Sequence, residues 1–507
     1  MSTKSDKRYI GISLGPINRI LGYAKSTRAI WASSYLFAYL GKQIAEKYFS
    51  KQGNRFLKPW ITAEMFNQHD GVGRFPDQYI LETDKSVAGI RQHCDSVLEK
   101  LAQNIAKVLQ LEGKAEEITY YLKHVLRIII VERRLPARWA DSAVVGDLQT
   151  QLAAMECRDA YSAEETRNYL ADFFESTSVH SMLYLDAYDS DKAGRLFSTI
   201  LECSAGEEGK AFRRELLQKH PNLSLKPYQK YIAFVSADGD NFGKTLAMLG
   251  DQAGHIFMAY NEGIRDIVAD YGGQVIYQGG DDILFFAPVF NQGKGKDQGK
   301  DIFQLLKDID TRFAQILQSE GNEEVRMRLQ ELPAAQRPTL SYGVSVSYYK
   351  FPMAEAKDLS GDLLDEVKNV PKGTEKNKIR WRVRKHSGQL FGGTFDKNRP
   401  EQYEQSIQLI ADALSGESNF LHSVTHWLHR QQSALGVILK LREDKRAVCL
   451  ANYVDNSFNE PGHQAKYTKF FNALKKLLLA YPESEGIDAA HRILRYVDLL
   501  IKKEEDE

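Results

Sequence analysis

Cysteine is scarce in this chain. Among 507 residues there are four, Cys94, Cys157, Cys203 and Cys449, and none belongs to a C-x-x-C pair. A disulfide framework and a cysteine-based zinc site are therefore not expected, and free thiols in a reducing cytosol are the ordinary reading. A charge excess of either sign is also missing: Lys+Arg and Asp+Glu both number 67. That excludes a globally basic surface for nucleic acid, so any such contact must come from a local patch. No stretch offers ~18 uncharged apolar residues, and no membrane span is expected. The opening MSTKSDKRYIGISLGP lacks the apolar core of a signal peptide. Cytoplasmic residence is the expectation. What is present is ordinary globular material, 43% hydrophobic and 26% charged, and the length suggests roughly three or four domains.

The pattern along the chain predicts an α+β protein in four parts. A strand over Tyr9–Leu14 is turned by Gly15-Pro16 into a helical stretch, Ile17 to Phe49. Strand-like runs follow at Phe56–Thr62 and Gln78–Glu82, and this first domain is placed at 1–115. Residues 116–222 read as a helical domain, with Ile118–Val131 and Met182–Phe197 as helices and the charged Gly206–Asn222 as a linker. At Tyr231 the apolar run YIAFVSADGD has the character of a buried central strand. A helix over Phe242–Ala269, a hairpin of Gln274–Tyr277 and Ile283–Ala287, a helix over Asp301–Leu317 and strands at Thr339–Tyr348 and Lys378–Lys385 complete a domain at 223–392. Its order begins β-α-β-β-α-β, a ferredoxin-like or palm arrangement. Helices at Gln402–Leu414, Asn419–Leu435, Lys466–Tyr481 and Asp488–Lys502 predict a bundle over 393–507. The first domain has the same opening as the third, with Ser13 and Gly15 where the third carries acids, so it is expected to be a non-catalytic copy.

The acids define the candidate site. Asp238 and Asp240 alternate at a strand end and point to one side if the segment is extended. Asp281 and Asp282 follow Gly279 and Gly280 at a hairpin tip, where glycine permits a tight turn and close approach of a phosphate. In a palm sheet the two features sit on adjacent strands, and four carboxylates would converge. Such crowding is costly without cations. Magnesium or manganese with phosphate oxygens fits, and a pair of such ions activates a hydroxyl and steadies a pyrophosphate leaving group. A lone DGD or GDD is more often a turn; the pair, each at an apolar strand end, points to nucleotidyl transfer. Lys244, one helical turn on, is placed to hold a triphosphate. A P-loop is rejected, because three residues rather than four separate Gly239 from Gly243 and Asp238 stands where glycine is needed.

These residues resemble a family. GGDD after a strand, with DGDNFGK upstream, looks like the large polymerase-cyclase subunit of type III CRISPR effector complexes, Cmr (III-B) type, within the palm superfamily that includes GGDEF cyclases. The segments Ile12–Pro16, Ala24–Arg28 and Trp31–Tyr35 resemble that subunit's first palm, and Ser341–Pro352, Lys368 and Arg384–Gly388 its second. The resemblance implies two palm domains interleaved with two helical domains. It implies target-RNA-activated synthesis of a signalling nucleotide from ATP, either a cyclic oligoadenylate or AMP joined to S-adenosylmethionine. By the same resemblance Asp238, Asp281 and Asp282 are catalytic, and Asp238, Gly239, Asp240, Asp281 and Asp282 form the metal set. Asn241, Phe242, Gly243, Lys244, Gly279, Gly280, Ser341 and Lys368 would bind nucleotide. Partners would be the other complex subunits, guide RNA and target RNA. The alternative is a catalytically silent scaffold. An HD nuclease domain is not expected, since the first palm begins near residue 8 and His69-Asp70 reads as a loop.

The densest basic cluster, Lys372, Lys376, Lys378, Arg380, Arg382, Arg384 and Lys385, alternates with Ile379, Trp381 and Val383. It is either an edge strand with a solvated face or a contact for RNA or triphosphate. Glu132-Arg133-Arg134 reads as a solvated helix face, and Ser13, Ser33 and Ser34 as capping or packing residues.

Overall fold

The computed structural model describes residues 7–501 except 25–26, 50, 60, 68–71, 74, 137–138, 158–166, 177–226, 243–244, 246–252, 292–298, 320–322, 334–335, 372–374 and 460. The expectations for Met182–Phe197, Gly206–Asn222 and His69-Asp70 lie outside the described residues. Among the described residues no helix is long and apolar enough to cross a membrane.

The first unit runs β1 (Lys7–Gly15), α1 (Ile17–Leu21), α2 (Thr27–Tyr48), β2 (Asn54–Lys58), α3 (Ala63–Asn67), β3 (Gln78–Thr83), α4 (Val87–Val108), α5 (Ala115–Val125), β4 (Arg127–Leu135), α6 (Asp141–Glu156) and α7 (Tyr169–Glu175). Its sheet has the order β2-β3-β1-β4. The second unit runs β5 (Tyr231–Asp240), α8 (Ala253–Tyr271), β6 (Gln274–Gly279), β7 (Asp282–Pro288), α9 (Ile302–Ser319), α10 (Glu323–Glu331), β8 (Thr339–Tyr348), α11 (Met353–Lys368), β9 (Lys378–Arg384) and β10 (Leu390–Asp396). Its order is β10-β9-β8-β5-β7-β6. The four strands β8-β5-β7-β6 follow the same path as the first sheet: the opening strand is central, flanked by the third and fourth. Six helices then close the chain: α12 (Pro400–Ala413), α13 (Ser418–Arg430), α14 (Gln432–Leu439), α15 (Glu443–Ser457), α16 (Pro461–Ala480) and α17 (Glu483–Ile501).

Three expectations are corrected. The helix placed at Ile118–Val131 is a helix and then a strand, and β4 pairs with β1 from Lys7↔Leu135 to Gly15↔Arg127. The first sheet therefore takes its fourth strand from beyond residue 115. RIIIVERRL is a short apolar run that periodicity alone does not separate from a buried helix. Glu132, Arg133 and Arg134 lie on this strand rather than on a helix. The stretch Phe56–Thr62 is not one strand either: β2 ends at Lys58, and α3 follows. Finally, β10 continues through Asp396, past the expected boundary at 392.

The second sheet is covered on both faces, which is why β5 is apolar throughout. Ala233, Val235, Phe285, Val344 and Trp381 share a core with α8, α9 and the C-terminal helices. Ile232, Phe234, Ile276, Leu284 and Phe286 share a second core with Trp31, Tyr35, Leu36 and other residues of the first unit. On this second face α11 lies tightly on β8. A Cβ on Gly343 would stand 2.1 Å from the Ser360 carbonyl oxygen and 2.4 Å from the Leu364 nitrogen, so the position admits no side chain. That approach brings the last turn of α11, with Lys368, beneath the end of β5.

Candidate active site

Strand alternation places Asp238 and Asp240 on the face of β5 that also carries Ile232, Phe234 and Ser236. The register Phe234↔Phe286, Ser236↔Leu284 brings the start of β7, and so Asp282, alongside Asp238. Asp281 sits over Gly239, where a Cβ would lie 2.8 Å from the Asp281 Cβ and Oδ2 and 2.3 Å from the Phe242 ring. Glycine at 239 is thus what lets the hairpin tip close onto β5. Gly280 has φ +68° with open space around it, and supplies the turn. Gly279 is confined by the Tyr277 hydroxyl, 2.0 Å from where a Cβ would be.

The four acids do not converge equally. Asp240 is 1% exposed. Its Oδ1 takes Lys368 Nζ at 2.9 Å, and its Oδ2 accepts from Thr339 Oγ1 at 2.9 Å, Ser341 Oγ at 2.7 Å and the Asn377 amide at 3.0 Å. Both Asp240 oxygens are thus engaged inside the protein. The Gly239 carbonyl accepts Lys368 Nζ at 2.6 Å. Lys368 also pairs with Asp238 Oδ2 at 2.8 Å. Burial pulls its ammonium down, but its bonds to Asp238 and Asp240 hold it above the ordinary lysine value. Lys368 therefore clamps the two strand aspartates together. Ser341 is fully buried with its hydroxyl on Asp240.

Asp238, Asp281 and Asp282 lie together where the hairpin tip meets the end of β5. Burial first, then the Asp238 carboxylate, push Asp281 up to about 6. Burial, Asp238 and then Asp281 push Asp282 up to about 7, although its residue is solvent-exposed. Among the described residues no group of three or more Asp, Glu, His or Cys side chains is already arranged to hold a metal ion. The donor set nevertheless fits one. Asp238 and Asp281 are within hydrogen-bonding reach of each other, and magnesium needs only one or two carboxylates when phosphates and water complete its shell.

Other expected nucleotide contacts fall elsewhere. Phe242 is 7% exposed and stacks on Phe313 at 5.4 Å, as core. Asn241, at φ 60°, turns the chain after β5 and donates to the Arg337 carbonyl at 3.1 Å. Gly243 and Lys244 lie outside the described residues. The basic cluster is not an edge strand, because β9 lies between β8 and β10. Arg380 and Arg382 pair with Glu366 at 2.7 and 3.3 Å. Lys372 lies outside the described residues. Ser33 bonds the Ile30 carbonyl within α2, and the Ser13 hydroxyl donates to Glu156.

Asp282 lines a cavity of about 830 Å³ between the two sheets, large enough for a nucleotide-sized ligand. The first unit contributes Ser13, Asp77 and Glu156 to it, and the second contributes Tyr277, Asp282 and Asp365. Sequence inspection missed α11 as the carrier of Lys368, Asn377 as a donor to Asp240, and Asp77. Asn377 had one available signal, an asparagine ahead of a strand, which here takes φ 61°.

A ferredoxin-like sheet with acids on its first strand and on the tip of the adjoining hairpin defines a palm domain. Residues 231–380 match the family model "Cas10/Cmr2, second palm domain", and residues 9–111 match "CRISPR-associated protein Cmr2, N-terminal". The chain belongs to the Cas10/Cmr2 family, the large subunit of type III CRISPR complexes. No curated protein matches it. Similar solved structures include a type III-B Cmr-beta complex in the apo state (11% identity, TM-score 0.46, covering 77% of this chain and 70% of that chain). Another is a Csm1-Csm4 cassette in complex with cA4 (12%, 0.47, 98% and 70%). A third is type III-B Cmr-beta bound to cognate target RNA (10%, 0.43, 77% and 72%).

Proposed function

We propose that this subunit makes a signalling nucleotide from ATP when its complex binds target RNA, with the first unit acting as a non-catalytic palm and the second as the catalytic one. The observation that carries this is the group Asp238, Asp281 and Asp282. These three carboxylates crowd at one strand end and hairpin tip, Asp282 among them lines the cavity, and the nearby Lys368 is already committed to Asp238 and Asp240. A silent scaffold gains nothing from such crowding, which costs stability. Asp238 and Asp281 would hold magnesium or manganese, with Asp282 beside them. When bound, the ion supplies charge neutralisation and lowers the pKa of an attacking hydroxyl. The chain's own part is geometric. Lys368 fixes the Asp238 carboxylate, Gly239 lets the hairpin close, and Asp240 locks β5 to β8 through Thr339 and Ser341. Partners are the other type III-B subunits, guide RNA and target RNA.

The acceptor of the adenylyl group is either another ATP, giving a cyclic oligoadenylate, or S-adenosylmethionine. One observation favours the second. The cavity's acids, Asp77, Glu156, Asp282, Asp358, Asp362 and Asp365, outnumber its bases, Arg19, Arg127 and Lys357. Such a lining suits a sulfonium and an ammonium better than a second triphosphate. The test is to incubate the purified complex with target RNA, labelled ATP and magnesium or manganese, with and without S-adenosylmethionine. Synthesis that disappears in the Asp281→Ala plus Asp282→Ala double variant is expected. No product from the wild type, or equal product from the double variant, refutes the enzyme reading.

A further inference from the structure

The C-terminal helices join the second sheet through three residues, Lys397, Asn398 and Arg399, between the end of β10 and the start of α12 at Pro400. Each is bonded back to the sheet. The Lys397 amide donates to the Asn377 carbonyl at 3.1 Å. The Asn398 side chain accepts from Asn377 Nδ2 at 3.2 Å and donates to the Lys376 carbonyl at 2.5 Å, while its own amide donates to Asp396 Oδ1 at 3.1 Å. The Arg399 amide donates to the Asp396 carbonyl at 3.1 Å, and the Arg399 carbonyl takes the Tyr403 amide at 3.0 Å, in the first turn of α12.

The residue gripped by these bonds is Asn377, which precedes β9 and has φ 61°. A residue with a side chain enters this left-handed region at a cost, and asparagine tolerates it better than most. In that turn its amide meets Asp240 Oδ2 and the Ser341 hydroxyl, both at 3.0 Å. The Lys397 side chain, 7% exposed, adds a second hold: its ammonium donates to Asp310 Oδ2 on α9 at 2.7 Å and to the Leu340 carbonyl on β8 at 2.8 Å. Leu340 is the residue paired with Gly239. The junction therefore secures the end of β5 twice, at Asp240 through Asn377 and beside Gly239 through Leu340. Among the described residues, none of the three junction residues lines the cavity.

We propose that Asn398 is a positioning residue for the transfer. It holds Asn377 in its left-handed turn, so that the Asn377 amide sets the Asp240 carboxylate, and Asp240 in turn fixes Lys368 against Asp238. The C-terminal helices then contribute to catalysis through the junction that leads into them, in addition to any surface they offer to partners. This rests on the nucleotidyl-transfer reading of the acid group given above. The competing role is a tether, in which the same bonds fasten α12 to the sheet and contribute only stability.

The two roles separate in a kinetic cycle. Asn398→Ala removes the contact from one end. Asn377→Gly removes it from the other and keeps both the amide and easy access to positive φ. The purified complex with target RNA, labelled ATP and magnesium or manganese is assayed over a range of ATP as wild type, each single variant and the double variant, at a temperature where the unfolding curve of each shows it folded. Misplacement of the acid group predicts kcat lower by about fivefold or more in Asn398→Ala, with KM within about twofold of wild type. Action through Asn377 predicts a double variant within about twofold of the poorer single variant. If Asn398→Ala does not fold, Asn377→Gly decides on the same kcat criterion. Wild-type kcat in the single variants, or a raised KM with kcat unchanged, overturns the positioning role and leaves the transfer reading standing. Losses that multiply in the double variant also overturn it, since the two residues then act separately. Absence of product from the wild type overturns the transfer reading itself, and the Asn398 role with it.

Discussion

Replacing Asp281 with asparagine removes a charge from the acid group while keeping the shape of the side chain. Its carboxyl moves from 3.8 to about 6 in the folded protein, which is worth about 3 kcal/mol. Asp281 is partly exposed, so screening reduces this to about 1–2 kcal/mol. The direction follows from which form the fold prefers. A raised carboxyl stabilises the folded state when protonated; that contribution is complete below 3.8 and is lost as pH climbs through about 6. Asparagine stays neutral and keeps it. Asp281→Asn should therefore raise the unfolding midpoint of the full chain by roughly 1–2 °C at about pH 8 and by about half as much at about pH 5, the difference vanishing only below 3.8. Magnesium or manganese should raise the wild-type midpoint at the higher pH and leave the variant nearly unmoved. Thermal melts at both pH values, with and without the ion, read all four quantities. Equal midpoints at the higher pH, or a variant less stable at both, would refute the view that uncompensated negative charge accumulates here. Asp282 is a poorer probe, because its exposure lets water screen the same effect.

Lys368→Met should abolish product and destabilise the chain by about 3–5 kcal/mol, since it strands two partly or fully buried carboxylates; a melt within about 1 kcal/mol of wild type would show that the clamp is not structural. Gly239→Ala should lose product synthesis and about 1–3 kcal/mol of stability, because the added Cβ meets Phe242 and Asp281, and full activity in that variant would mean the hairpin does not need to close. Arg380→Ala with Arg382→Ala should leave RNA-activated synthesis intact and cost about 1 kcal/mol or less, since both arginines face Glu366 at the surface. A large loss of RNA affinity in that double variant would restore the basic strand as a nucleic-acid contact.

The legible parts of the sequence were those with local signals. β5 announced itself by ten residues of mostly apolar character ending in acids, and the GGDD tip by its glycines. β4 was hidden because RIIIVERRL carries no breaker between it and the helix before it. α11 was hidden among charged residues whose burial depends on the close approach at Gly343, a tertiary fact. The same distinction governs the acids. Adjacency of Asp238 and Asp240 is a property of the strand, but which of them is free for chemistry depends on Thr339, Ser341, Lys368 and Asn377, more than ninety residues further along the chain. Asp77, which lines the cavity, had no signal, since nothing local distinguishes it from any surface-charged residue beside a strand.

The core shared by Trp31, Tyr35, Leu36, Ile232, Phe234 and Phe286 bears on how genetic data from this subunit would look. Trimming the chain to its GGDD half would strip the cover from β5, β6 and β7 on one side of the six-stranded sheet, and the fragment would be prone to clump before it could be assayed. In a saturation screen, inactivating changes would accordingly be spread through α2 as well as around the aspartates. A map of such hits would trace the seam between the halves, and a screener who equated each hit with nucleotide contact would draw the pocket several times too large.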